Sequence, residues 1–203
     1  MRRDSRLPVL CVSGLICLFS QSSIAAPAAT SSWYVSYGIG ESDSEFKVEQ
    51  LAGSIPESER GNVALSKSGD TKRLAIGYSV DARISYEAGK MTLDKAAEIK
   101  QFILPNNDVV DAAVDVEGYY LAAISKYRAT DSVLINGRLG YYMWDMKTTE
   151  KINGETISQH TVSDNDFFYG LGMEIGWLGI EYDILKVGGE QVKYTGATLR
   201  YRF

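Results

Sequence analysis

The chain contains a single histidine, His160, so only one imidazole is available as a general base near neutral pH. It lies in a polar segment, residues 147–166, and Ser163 follows three residues later. A histidine, a serine and an acid held together could hydrolyse an acyl ester. Because the segment is dense in Thr, Asn, Asp and Glu, a solvated histidine in a surface loop is the simpler interpretation. We therefore expect no catalytic residues.

A second group with chemical potential is a set of charged side chains within segments where apolar residues alternate. These charges fall on the face opposite the apolar one, which predicts that they point into an enclosed interior. Buried charges are costly unless they are paired and hydrogen-bonded, so we expect a network of ion pairs that seals this interior. The alternative is a selective lining for a narrow channel. The residues are Arg73, Glu87, Arg138, Glu174, Glu181, Asp183 and Arg200.

Within this set, Arg138 lies near the middle of one predicted strand and Glu174 lies on the neighbouring one. We expect Glu174 to be its acidic partner, with Glu87 as the second candidate, although the sequence does not fix the register of the strands. The alternate glycines of residues 170–176 have the wrong spacing for a dinucleotide fingerprint, and no helical pattern follows them. On a strand, such glycines make room for bulky neighbours such as Arg138.

The N-terminal residues have the pattern of an export signal. Three arginines within residues 2–6 precede a mostly apolar stretch over residues 7–19, and small residues follow. The apolar stretch is shorter than the roughly 20 residues that a membrane-spanning helix needs. We predict a cleaved signal peptide over residues 1–25 and a mature domain over residues 26–203, with cleavage after Ala28 as the alternative. Both cysteines, Cys11 and Cys17, lie in the signal, so we expect no thiolate metal site and no cofactor.

The mature chain is acidic and has the size of one domain. Loss of the signal removes three Arg and one Asp, which takes the formal net charge from −5 to about −7 and argues against a nucleic-acid partner. Mean hydropathy of all 203 residues is slightly polar, at −0.14, and no stretch after the signal is continuously apolar. This excludes a helical membrane protein but allows a transmembrane β-barrel, whose strands alternate between apolar and polar residues.

Apolar and aromatic residues recur at every second position in eight segments, which predicts eight strands with one apolar face each. The clearest segment sets Tyr169, Leu171 and Met173 against Gly170 and Gly172. With the residues that flank these segments, we expect strands of about ten residues each, the length that a tilted strand needs to cross a bilayer. The eight segments are residues 33–40, 73–80, 83–89, 118–127, 133–143, 168–177, 180–184 and 196–203.

The connections between these segments alternate between long and short. Residues 42–71, 92–115 and 147–166 are long, whereas residues 81–82, 128–132 and 178–179 are short. Outer-membrane barrels have this asymmetry, with the long loops outside the cell. We expect an amphipathic helical turn or two within residues 93–104. Since lipid offers no partner for backbone groups, the sheet must close, and eight strands leave an interior that side chains fill. The predicted fold is an all-β, eight-stranded antiparallel up-and-down transmembrane β-barrel.

The alternating strands, the inward Arg and Glu positions and the C-terminal residues 199–203 resemble the superfamily of OmpA-like transmembrane domains and opacity-type outer-membrane barrels. Short members such as accessory colonisation factor A are similar, and the resemblance covers residues 33–203. It implies a location in the cell outer membrane among its lipids. It also implies that Leu199, Tyr201 and Phe203 form the signal read by the barrel-assembly machinery.

The three long loops are where this resemblance and the charge pattern place the function. Loops held by a rigid scaffold are the usual sites of recognition. We expect a surface structural or interaction protein, of the adhesin or colonisation type, that binds a host or cell-surface ligand through its loops and is not an enzyme. The alternatives are a narrow porin-like diffusion channel and a barrel enzyme that modifies lipid A through His160.

Overall fold

A computed structural model describes residues 31–203 of the chain. The predicted signal peptide, residues 1–25, and both candidate cleavage sites lie outside the described residues and stay predictions. Within residues 31–203, no helix has the length and apolar character needed to cross a membrane.

The described chain is built almost entirely from antiparallel strands that close into a ring. The strands are β1 (Ser32–Ser44), the two-residue β2 (Leu65–Ser66), β3 (Ser68–Ser79), β4 (Ile84–Ile103), β5 (Val109–Arg128), β6 (Val133–Ile152), β7 (Glu155–Ile175), β8 (Leu178–Val187) and β9 (Glu190–Arg202). Eight of them form the ring in the order β4-β3-β1-β9-β8-β7-β6-β5, pairing of β4 with β5 closes it, and β2 pairs with β4 beside the ring. The eight-stranded up-and-down barrel predicted from the sequence is confirmed.

Strands β4 to β7 are about twice as long as the sequence pattern predicted, with 20 or 21 residues each. The predicted loops over residues 92–115 and 147–166 are therefore mostly strand, and they form two hairpins that extend the barrel wall beyond the membrane. The second hairpin turns at Asn153 and Gly154, which both have positive φ values. Only the first long connection, between β1 and β3, contains helix: α1 (Val48–Leu51) and a 3₁₀ helix (Glu57–Asn62).

The helical turn predicted within residues 93–104 is wrong, because β4 continues through to Ile103. Two irregularities of register, between Leu93 and Ala97 and between Ile99 and Phe102, interrupt the pairing of β4 with β5. The first adds two residues to β4, so that Leu93, Ala96 and Ala97 are all buried, whereas the second adds one residue and moves the following side chains to the other face. The resulting spacing imitates that of a helix.

The face that carries apolar residues changes along the strands. In the lower part of β5, Tyr119 and Leu121 point outward and are 63% and 57% exposed, as lipid-facing residues of the isolated chain should be. Above Gly118, the apolar residues lie on the inward face and are buried, as Val110 and Val114 are. The barrel therefore has two levels: a polar interior within the membrane, here called the lower lumen, and an apolar interior above it, here called the upper core.

The connection between β1 and β3 folds into the open mouth of the barrel and covers the upper core. Phe46, Leu51 and Ile55 are at most 2% exposed and belong to the same apolar cluster as the inward residues of β4 to β6. Ser54 donates its backbone N–H to Glu150 at 3.1 Å and its hydroxyl to the same carboxylate. Residues 45–64 are therefore an ordered cap, and not the open polar loop that the sequence suggested.

Candidate functional site

The centre of the lower lumen is a cluster of two arginines and two acids from three strands. Arg138 on β6 contacts Glu181 at 2.7 Å and Asp183 at 3.0 Å, both on β8. Arg73 on β3 contacts the same two carboxylates, with 2.8 Å between Nη1 and the Asp183 oxygen. Each acid is thus shared by two guanidinium groups. Such sharing compensates part of the cost of removing charges from water, which a single buried pair often fails to do.

Gly170 explains how Arg138 reaches β8 across the strand that lies between them. In the sheet register, Gly170 of β7 is opposite Arg138 on one side and Asp183 on the other. A Cβ atom at residue 170 would lie 1.9 Å from the Asp183 carboxylate, so any side chain there would occupy the space of the ion pair. The glycine leaves a gap in the inner wall through which the two charged groups meet.

Glu174 is not the partner of Arg138, and this pairing prediction is wrong. In the β6–β7 register Glu174 is opposite Leu134, four residues closer to the periplasmic end than Arg138. There it contacts Arg200 directly and accepts a hydrogen bond from the Asn136 amide at 3.1 Å. The sequence could not reveal this offset, because alternation fixes the face of a strand but not its register.

Glu87 links the two groups of charges. It accepts hydrogen bonds from Tyr120 at 2.6 Å and Tyr34 at 3.2 Å, and lies 3.9 Å from Arg138 and 3.8 Å from Arg200. Arg200 also packs over the Tyr34 ring at 4.6 Å, a cation–π contact. Glu87, the second candidate partner, is therefore near Arg138 but beyond hydrogen-bonding distance.

The structure brings all seven predicted charged residues into one interior. The most exposed of them, Arg200, has 7% of its surface accessible. Four carboxylates face three guanidinium groups, with the buried Lys126 near the periplasmic end, so the lower lumen is close to electrically balanced. Chemically, this arrangement links the strands through paired, buried charges across the lower lumen. That the network serves to seal the barrel is a proposal, developed below.

Above the charges, the upper core forms a second, apolar layer across the barrel. Tyr120 and Phe168 meet edge to face with 5.7 Å between ring centroids, and Tyr142 and Trp144 are at most 3% exposed beside them. The cap closes this layer from outside. An ion would therefore have to cross an apolar layer as well as the charged one. The sequence analysis did not predict the upper core. The signal for it is that the alternating apolar residues of β5 lie at even positions before Gly118 and at odd, outward positions after it.

The extracellular hairpins carry charged pairs on their outer surface. Glu98 of β4 contacts Lys95 at 2.9 Å and Lys100 at 3.0 Å. Partial burial would raise the pKa of the Glu98 carboxyl, but the two ammonium groups outweigh this and hold its pKa below the ordinary value.

His160 and Ser163 do not form a catalytic group. They are three residues apart on the regular strand β7, so their side chains point to opposite faces of the sheet. Ser163 donates its hydroxyl to Asp145, and His160 is opposite Thr148 and exposed. The structure therefore gives no support to ester hydrolysis by these residues.

The three residues predicted as an assembly signal lie on the lipid-facing surface of β9. Leu199, Tyr201 and Phe203 are 48%, 73% and 65% exposed, and the Phe203 N–H donates to the Trp33 carbonyl at 3.1 Å, next to the seam between β9 and β1. Their outward position makes them accessible, and recognition by assembly machinery stays a prediction.

Comparison with known proteins agrees with this architecture. The family model described as the OmpA-like transmembrane domain matches residues 28–195. Neisserial surface protein A has 13% sequence identity and a TM-score of 0.52, over 86% of this chain and 99% of that one. The outer membrane protein OprG from Pseudomonas aeruginosa has 10% identity and a TM-score of 0.51, over 85% and 97%. No curated protein matches the sequence.

Proposed function

This chain belongs to the family of OmpA-like transmembrane domains and is a β-barrel of the outer membrane, and we propose that its function lies outside its lumen. The proposed function is surface interaction of the adhesin or colonisation type. The observation that carries this proposal is the double closure of the barrel. Seven charged groups fill the lower lumen, and the apolar upper core and its cap lie above them. A barrel closed in this way acts through the surfaces that it presents.

The extracellular hairpins are the part of the molecule best suited to contact other molecules. In the β6–β7 hairpin, the β7 strand is exposed on both faces near its tip, from residue 155 to residue 161. Four long strands hold it at a fixed position above the membrane, and ordered presentation lowers the entropy that binding would cost. We infer that the β6–β7 hairpin is the principal contact surface.

A hairpin-trimming experiment tests this function. Thr148 and His160 are directly opposite in the β6–β7 register, so residues 149–159 can be replaced by an Asn-Gly turn without shifting the strands. Because this also removes Glu150, the acceptor of Ser54 in the cap, the single variant Glu150→Ala serves as a second control and should bind normally. We expect the purified barrel in bicelles to bind at least one immobilised host extracellular-matrix protein, and trimming to weaken that binding at least about tenfold, which corresponds to 1.4 kcal/mol.

The matched control replaces the periplasmic turn, residues 130–132, by the same Asn-Gly turn, which keeps Ala129 opposite Val133, and this variant should bind normally. Heat-dependent mobility on gels would verify that both variants are folded. Wild-type protein that binds nothing in a broad panel of matrix proteins, or a trimmed variant with unchanged affinity, would contradict the proposed function.

A further inference from the structure

Strand β7 has an open edge above the membrane. Its residues 155–168, except the bulged Ile157, pair with β6, whereas its pairing with β8 covers only the part from Tyr169 to Ile175. No other strand within residues 31–203 pairs with the upper part of β7. The backbone N–H and C=O groups of alternate residues there are consequently directed at solvent. The opposite edge of the same sheet, on β4, is partly covered, because Leu65 and Ser66 of β2 pair with it.

This edge has only one of the features by which proteins usually prevent strand addition, a bulge at Ile157, which has no partner on β6. Protected edges also commonly carry lysine, proline, inward-pointing charge or a very short strand. Residues 156–163 contain no Lys, Arg, Asp, Glu, Pro or Gly, and four of the eight are β-branched. Seven of the eight are exposed, and Ile157 has half of its surface accessible. An edge of this composition is a template for another strand.

We propose, building on the surface-interaction function, that this edge pairs antiparallel with the same edge of a second copy of the chain. In the symmetric register centred on Gln159, Ile157 would be opposite Thr161 and Ser158 opposite His160. These pairs have the same parity, so their side chains share a face of the combined sheet. The nearest acids on the two sides are Glu155, which would be opposite Ser163, and Asp164, which would be opposite Gly154. No like charges would therefore meet. Cross-strand pairs of this kind stabilise antiparallel sheets.

The orientation of β7 specifies where the second copy must be. In every copy, β7 runs from its extracellular tip at residue 155 toward the membrane. Two copies in one membrane would present parallel strands, whereas an antiparallel pair requires the copies to point toward each other. The partner therefore lies in a facing membrane, and the twofold contact is isologous. The proposed activity is homotypic contact between neighbouring cells.

A charge-exchange experiment tests the pairing on the whole barrel. Barrels are placed singly in nanodiscs, and their association is measured by sedimentation velocity. We expect wild-type discs to form pairs. The variant Ile157→Lys/Thr161→Lys would put Lys opposite Lys twice, and Ile157→Glu/Thr161→Glu would do the same with Glu. Each should raise the dissociation constant at least about tenfold, and a mixture of the two variants should recover mixed pairs.

Ala113→Lys is the matched control. Ala113 is opposite Thr149, and Thr149 is opposite Gln159, so residue 113 lies on the same face of the sheet and at the same height as the centre of the proposed contact. It is on β5, however, two strands away from the β7 edge. This variant should pair as wild type does. Wild-type discs that stay single at about 100 μM, charged variants that pair normally, or a mixture without recovery would each overturn the inference. If pairing fails while hairpin-dependent binding to a matrix protein persists, the proposed function stands and only homotypic contact is refuted.

Discussion

Arg138→Ala is expected to lower the free energy of unfolding of the barrel by about 3–5 kcal/mol. The substitution removes the guanidinium that contacts Glu181 and Asp183, and both acids remain buried, at most 2% exposed. Arg73 alone would then face two carboxylates that now share two arginines. Removal of one partner from a buried network leaves charge without compensation, and this is the source of the large effect. Urea unfolding in liposomes provides the measurement.

The double variant Arg138→Ala/Glu181→Gln should recover part of this loss, because it removes one uncompensated acid. Glu174→Gln should not compensate in the same way, since Glu174 contacts Arg200 and is not within contact distance of Arg138. Arg202→Ala is the control for loss of an arginine: its side chain is 46% exposed and its ion pair with Glu174 spans 3.5 Å. We expect it to cost less than about 1 kcal/mol. Equal stability of Arg138→Ala and wild type would show that the network is not a source of stability.

Phe46→Ala should release the cap without unfolding the barrel. The ring is 1% exposed within the upper core, and it packs against the β8–β9 turn, where a Cβ atom at Gly188 would lie 3.8 Å from it. Truncation of a buried Phe to Ala typically costs about 3–5 kcal/mol. Since α1 has only four residues and little stability of its own, the loss should appear as local opening of residues 45–64.

Trypsin cleavage in proteoliposomes measures this opening, because Lys47 and Arg60 lie in the cap. We expect cleavage at these sites to be about a hundredfold faster in Phe46→Ala, since 3 kcal/mol of local opening is a factor of that order. Glu49→Ala, an exposed substitution in the same segment, should leave the rate unchanged. Equal rates in all three proteins would mean that Phe46 does not hold the cap.

The membrane-spanning part of the fold was predictable because lipid imposes a strict rule on the sequence. An outward residue contacts hydrocarbon and an inward residue contacts the lumen, so alternation reveals both the strands and their faces. Leu171 and Glu174 illustrate this: their opposite environments follow from parity alone. The placement of the charged residues on one interior surface was predictable for the same reason.

The extracellular part was not predictable from the alternation of apolar and polar residues alone. Above Gly118 the apolar face turns inward, and the irregularities near Ala97 and Phe102 interrupt the period further. Ion-pair partners within the lumen depend on the register of the strands, which alternation does not determine. For this reason the sequence pointed to Glu174 as the partner of Arg138, whose contacts are Glu181 and Asp183. The open edge of β7 depends on the different lengths of β7 and β8, a property of the assembled sheet.

Conductance of the wild-type barrel in planar bilayers tests the central claim most directly, that the lumen is closed and the function lies on the outside. Folding is verified on the same preparation by faster gel migration of the unboiled protein, and insertion by flotation of the protein with liposomes. We predict no resolved conductance steps from inserted wild-type barrels, under conditions in which a general porin gives clear steps. Stable, reproducible channels formed by the folded wild-type protein would contradict the account and favour a diffusion channel.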